Sequence, residues 1–86
     1  MFSIVFTKQA VKDLELLKQA KLIEKAKKLV GLIQKNPFQN PPPYEKLVGD
    51  LSGAFSRRIN LQHRLVYQIF ENDKIIRIIR FWTHYE

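Results

Sequence analysis

Gly53-Ala54-Phe55-Ser56-Arg57-Arg58-Ile59-Asn60-Leu61 is the stretch that decides the fold, because here the apolar period changes to two. Phe55, Arg57, Ile59 and Leu61 alternate with Ser56, Arg58 and Asn60, as in a strand whose side chains point to opposite faces, and each face carries an arginine. Downstream, the pattern predicts a second strand over His63 to Phe70 around Leu65-Val66-Tyr67, and a tight turn at Asn72-Asp73. A third strand runs from Lys74 to Trp82, nearly all apolar apart from Arg77 and Arg80. A strand that is apolar on both faces belongs in the interior of a sheet.

Upstream the period is helical. Val11, Leu14 and Leu17 recur at helix spacing between Lys8 and about Ala20, and Leu22, Ala26, Leu29, Val30 and Ile33 form a stripe from about Lys21 to Lys35. Thr7 is placed to cap the first helix, and Phe2 to Phe6 alternates well enough for a short opening strand. Asn36-Pro37-Phe38-Gln39-Asn40-Pro41-Pro42-Pro43 ends the second helix, since successive prolines lack the amide donor. Residues 37–50 show no periodic pattern and read as a stiff loop, with Tyr44 and Glu45 directly after the triple proline. The expected order is β-α-α-β-β-β in one domain over 1–86, an α+β fold with two N-terminal helices on one face of a mostly antiparallel sheet. The other face is left partly open for polar residues.

With 86 residues, 45% of them hydrophobic and 6 Phe, 3 Tyr and 1 Trp among them, the chain is too apolar for a disordered tail. Zero cysteines remove disulfides, thiol catalysis and Cys-based zinc sites, and fit a reducing compartment, so the expectation is a cytoplasmic protein. Met1 to Lys8 lacks a basic region followed by an apolar stretch, and no window approaches the roughly 20 apolar residues of a membrane span. No membrane association is therefore expected. Fifteen Lys+Arg against eight Asp+Glu give a formal charge of +7, which points to a polyanionic or acidic partner, a generic solvated surface being the plain alternative. The cations are segregated. Residues 1–52 hold nine lysines and no arginine, whereas residues 53–86 hold all five arginines and only Lys74. Arginine grips phosphate through two hydrogen bonds at once, and residues 53–70 contain Arg57, Arg58 and Arg64 with no carboxylate, so an anion or a partner chain's acids could neutralise them; if the anion is RNA, Arg57 and Arg58 are the binding candidates.

Several chemistries lack their residues. His63 and His84 have no carboxylate three or four positions on, so no metal is expected. Gly31, Gly49 and Gly53 fit neither phosphate-cradling glycine pattern, and Ser3, Ser52 and Ser56 sit in no strand-to-helix elbow. No cofactor is expected. What survives is Glu45, Arg57, Arg58, Arg64 and His84 with Tyr85, the minimum for metal-free phosphodiester cleavage. There the ribose 2′-OH must lose a proton, the phosphorane must be stabilised and the 5′-oxygen must be protonated as it leaves. The same residues also read as a Glu45–Lys46 surface pair, a solvated strand edge and a frayed terminus, and residue chemistry alone leaves both readings open.

Four separated motifs add to this. Pro42-Pro43-Tyr44-Glu45-Lys46-Leu47, Leu51-Ser52-Gly53-Ala54-Phe55-Ser56-Arg57-Arg58-Ile59-Asn60, Gln62-His63-Arg64-Leu65-Val66-Tyr67 and Trp82-Thr83-His84-Tyr85-Glu86, in that order, resemble the YoeB/Txe family, toxins of bacterial type II toxin–antitoxin pairs in the RelE-like superfamily. The resemblance implies a microbial RNase-like fold and a ribosome-dependent endoribonuclease that cuts translated mRNA in the A site. It further implies Glu45 as general base, Arg64 as the phosphate-binding, transition-state-stabilising arginine and Arg58 as a second cation. His84 would be the general acid, with Tyr85 orienting substrate. The implied partners are the ribosome with its mRNA and a YefM/Phd-like antitoxin, with operator DNA bound only by the toxin–antitoxin pair; a homodimer stays open. Glu86 extends past the tyrosine at which some members end and receives no role. The superfamily's other branch poisons DNA gyrase without cutting RNA, and a non-enzymatic RNA-binding module would need only the arginines.

Overall fold

The computed structural model describes residues 1–49 and 53–82, apart from the side chain of Trp82. Its elements are β1 (Ser3–Phe6), α1 (Lys8–Gln19), α2 (Ile23–Lys35), β2 (Tyr44–Lys46), β3 (Ala54–Arg58), β4 (Arg64–Phe70) and β5 (Ile75–Trp82). Thr7 starts α1 as expected: its Oγ1 accepts from the Ala10 amide at 3.0 Å. The same hydroxyl donates to the Ile79 carbonyl at 2.7 Å, tying the β1–α1 junction to β5. The turn after α1 is a Schellman closure, with Leu22 N–H donating to the Leu17 carbonyl and Lys21 N–H to the Lys18 carbonyl. Lys21 therefore occupies the left-handed position, at φ +61°, where glycine is usual. No helix among the described residues is long and apolar enough to cross a membrane.

The strands form one sheet in the order β1-β5-β4-β3-β2. All neighbouring pairs are antiparallel except β1–β5, which runs parallel with Ser3 opposite Ile75. β5, apolar on both faces, lies in the interior as its composition requires. On the helix side, Ala10, Leu17, Ala26 and Ile33 pack against Leu65, Tyr67, Ile76 and Ile78 of the sheet, all essentially buried. Among the described residues the opposite face has a single small cluster, Leu47, Ala54 and Val66 with Ile79 alongside, and no helix covers it.

Two boundaries differ from the sequence expectation. The stretch read as loop contains β2, so the order is β-α-α-β-β-β-β. Three residues are too short to display a period; β2 is a strand because its backbone pairs with β3, placing Tyr44, Glu45 and Lys46 opposite Arg57, Ser56 and Phe55. β3 stops at Arg58 rather than reaching Leu61, because the chain turns on Asn60. The Asn60 side-chain oxygen accepts from the amides of Gln62 and His63, a local bond that competes successfully with continued pairing.

Candidate active site

β3 builds the site by alternation. Phe55 and Arg57 point to the helix side, and Ala54, Ser56 and Arg58 to the open side. On the helix side the Pro37–Pro43 loop folds over the strand, and Arg57 fastens it. Its Nε donates to Tyr67 Oη at 2.8 Å, Nη1 to the Pro42 carbonyl at 2.5 Å and Nη2 to the Pro37 carbonyl at 3.0 Å. The guanidinium carbon lies 4.7 Å from the centroid of the Tyr44 ring, which offers it a π face. Phe38, Tyr44, Phe55 and Tyr67 form a chain of aromatic contacts with centroids 5.8–6.4 Å apart around this charge. Burial pushes the Tyr67 phenol above its ordinary pKa, with Arg57 pulling partly the other way, so the phenol stays neutral and accepts.

This arrangement corrects one expectation. Arg57 is 1% exposed and has protein partners for Nε, Nη1 and Nη2, so it faces away from the open side and holds the loop that leads into β2 and Glu45. Two adjacent arginines in sequence cannot be told apart by composition; the strand pleat separates them.

On the open side lies a cleft of about 210 Å³ lined by Pro42, Pro43, Tyr44, Glu45, Ser56, Arg58 and Arg64. Three of the candidate residues thus meet: Glu45 from β2, Arg58 from β3 and Arg64 from β4. Arg58 and Arg64 are directly opposite in the β3–β4 register, as are Glu45 and Ser56 in β2–β3. Two guanidinium groups on one rung offer several donors to an anion in the cleft. Glu45 is exposed, and among the described residues its carboxylate makes no hydrogen bond or ion pair. Ser56 is 1% exposed, and its Oγ has no hydrogen-bond partner among the described residues. Nothing in the local sequence singles out Ser56; the available signal was its place beside Arg57 in a strand whose other face opens on the cleft.

Trp82, the last described residue, pairs with Arg64 in the β4–β5 register. His84 and Tyr85 lie outside the described residues, as does Glu86. His63 sits in the β3–β4 turn, its Nδ1 3.1 Å from Asn60 Oδ1. Among the described residues no three of His, Asp or Glu gather as a metal-binding group. A larger hollow of about 560 Å³, lined by Phe6, Val11, Leu14, Ile23 and Val30, is apolar and gathers none of the candidate residues.

A second polar assembly has no counterpart in the sequence reading. Asp13 on α1, 1% exposed, accepts from Arg80 Nε at 3.2 Å, Arg80 Nη2 at 3.3 Å, the Phe81 amide at 3.0 Å and Gln9 Nε2 at 3.1 Å. It clamps the helix to the C-terminal half of β5.

Comparison with known proteins gives a consistent family. The family model described as a YoeB-like toxin of bacterial type II toxin–antitoxin systems matches residues 6–85. A relative named Toxin YoeB from Synechocystis is 42% identical over 66 residues, covering 77% of this chain and 74% of its own. Among solved structures, a YoeB/ParE toxin from Agrobacterium tumefaciens superposes with a TM-score of 0.86 at 30% identity, covering 98% of this chain and all of the other. The heterotetrameric YoeB–YefM toxin–antitoxin complex from Staphylococcus aureus gives 0.80 at 35% identity, covering 99% of both.

Proposed function

Since the chain belongs to the YoeB-like toxin family of bacterial type II toxin–antitoxin systems, we propose that it is a metal-independent endoribonuclease acting on mRNA in the ribosomal A site. The observation that carries this reading is the convergence of Glu45, Arg58 and Arg64 on one open cleft. A carboxylate without a partner among the described residues is a suitable base, and two arginines facing each other are suited to a phosphate.

In the proposed reaction Glu45 takes the proton from the ribose 2′-OH as the oxygen attacks the adjacent phosphorus. Arg64 and Arg58 stabilise the charge that accumulates on the non-bridging oxygens of the phosphorane. His84 gives a proton to the departing 5′-oxygen, and Tyr85 orients the nucleotide. The products are a 2′,3′-cyclic phosphate and a 5′-hydroxyl, so no water or metal-bound nucleophile is consumed in this step. By analogy with the S. aureus complex, the partner in the cytoplasm is a YefM/Phd-like antitoxin, whose acidic segment would meet the +7 chain and cover the cleft. The pair would bind its own operator DNA.

The test is primer extension on translated mRNA, with single-turnover cleavage on preformed ribosome complexes. Cuts at codon-defined positions, lost in Glu45→Gln by roughly 10²–10⁴-fold, are the expected result. DNA breaks dependent on gyrase, with intact mRNA, would instead identify the gyrase-poisoning branch. Binding without either would identify an RNA-binding module.

A further inference from the structure

Ser56 lines the cleft, yet this mechanism leaves it idle, and its environment is unusual. Its hydroxyl is fully enclosed and has no partner among the described residues, a state that ordinarily costs stability. It stands directly opposite Glu45 in the β2–β3 register, so both side chains leave the sheet on the same face and their β-carbons lie about 4.5–5.5 Å apart. Glu45 too lacks a partner among the described residues, and both line the same cleft. An unused donor therefore faces an unused acceptor across one ladder rung.

We propose that Ser56 is a positioning residue for the general base, its Oγ–H donating to the Glu45 carboxylate when a nucleotide occupies the cleft. A nucleotide in the cleft shields the exposed carboxylate from water, and a donor on the adjacent strand replaces the lost hydration. The bond leaves one carboxylate oxygen directed at the 2′-OH, and β3, held by Arg57 on its other face, keeps the donor fixed. Of the other neighbours lining the cleft, Tyr44 points to the helix side over Arg57, the prolines have no amide donor, and Arg58 and Arg64 are given to the phosphate in the proposed reaction.

The proposal rests on Glu45 acting as the base, and the experiment separates the two claims. Single-turnover cleavage of ribosome-bound mRNA is measured across pH for wild type, Ser56→Ala, Glu45→Gln and the double variant, with a thermal melt of each. Ser56→Ala is expected to slow cleavage about 10- to 100-fold, the size of one hydrogen bond to a charged group. Its pH–rate profile should differ from that of wild type, a change that a merely structural substitution would not produce. The melting temperature should hold or rise, since the hydroxyl removed is enclosed without a partner among the described residues. In the Glu45→Gln background the same substitution should add no further loss. A wild-type rate and pH profile for Ser56→Ala, with Glu45→Gln impaired, would overturn the proposal. So would a loss of equal size in the Gln background, or one that tracks a lowered melting temperature. A wild-type rate for Glu45→Gln would remove the base assignment itself.

Discussion

Replacing Arg57 by alanine strips the donor from three acceptors at once, and the structure sets the size of the effect. Tyr67 Oη and the Pro37 carbonyl are enclosed, and each buried acceptor left without a donor costs about 1–3 kcal/mol. The Pro42 carbonyl is only partly buried, so water replaces the donor there. Because the groups left behind are neutral and the guanidinium's own desolvation is relieved, the net loss falls at about 2–4 kcal/mol. A domain of 86 residues has about 4–13 kcal/mol in total, so the expected fall in melting temperature is about 10–25 °C. Arg57→Lys should recover only a minor part, since one ammonium cannot span a phenol on β4 and carbonyls at both ends of the loop. The assay is thermal and urea unfolding, paired with the salt dependence of binding to a short single-stranded RNA. Arg58→Ala should lower that slope by about 0.7 for each phosphate it no longer neutralises, while Arg57→Lys leaves it unchanged. An Arg57→Ala protein that melts with wild type while its salt slope falls would refute the brace and restore Arg57 as an RNA ligand.

Asp13→Ala leaves the Phe81 amide without its acceptor and removes one partner of the partly exposed Arg80, and should cost about 1–3 kcal/mol, measured by urea unfolding, with Asp13→Asn intermediate. Lys21→Gly relieves the left-handed backbone at the end of α1 and should raise stability by about 1 kcal/mol, or roughly 4–8 °C. Arg64→Ala should reduce single-turnover cleavage by about 10²–10³-fold with a much smaller effect on ribosome binding. Tyr67 has a folded-state pKa above its ordinary 10.0, so its contribution to stability is fully present below about pH 10 and is lost as pH rises through the folded value. Unfolding free energy measured between about pH 9 and pH 11.5 should therefore fall in wild type, and fall less steeply in Tyr67→Phe.

Much of the fold could be read because its long elements obey one period each. The stripe from Leu22 to Ile33 and the apolar run from Ile75 to Trp82 bury enough side chains that tertiary context reinforces their local pattern. β2 could not be read in this way: it follows a triple proline and exists through pairing with β3, a non-local fact. The end of β3 was hidden for the opposite reason, since a local side-chain bond at Asn60 overrode a period that continued on paper. In the site, Arg58 and Arg64 were legible as candidates from a stretch without carboxylates, and Glu45 from its place just after the triple proline. Arg57 and Asp13 were not, because burial of a charge among backbone carbonyls, or against a residue 67 positions away, leaves no trace in composition.

The Ser56-Arg57-Arg58 run joins these two parts into one device. A strand sends successive side chains to opposite faces, so a tripeptide on β3 addresses both sides of the sheet. Arg57 turns inward and draws the proline loop down, and the loop delivers β2 to the edge of β3. That pairing alone sets Glu45 over Ser56, on the side where Arg58 meets Arg64. The buried cation therefore contributes to the cleft without entering it. Slipping β3 by one residue against β4 would exchange the two arginines' faces, leaving a charge without acceptors inside and the loop without its fastening. The β3–β4 register is thus fixed by the energetics of a buried guanidinium as well as by apolar packing, and the geometry of the open cleft follows from it.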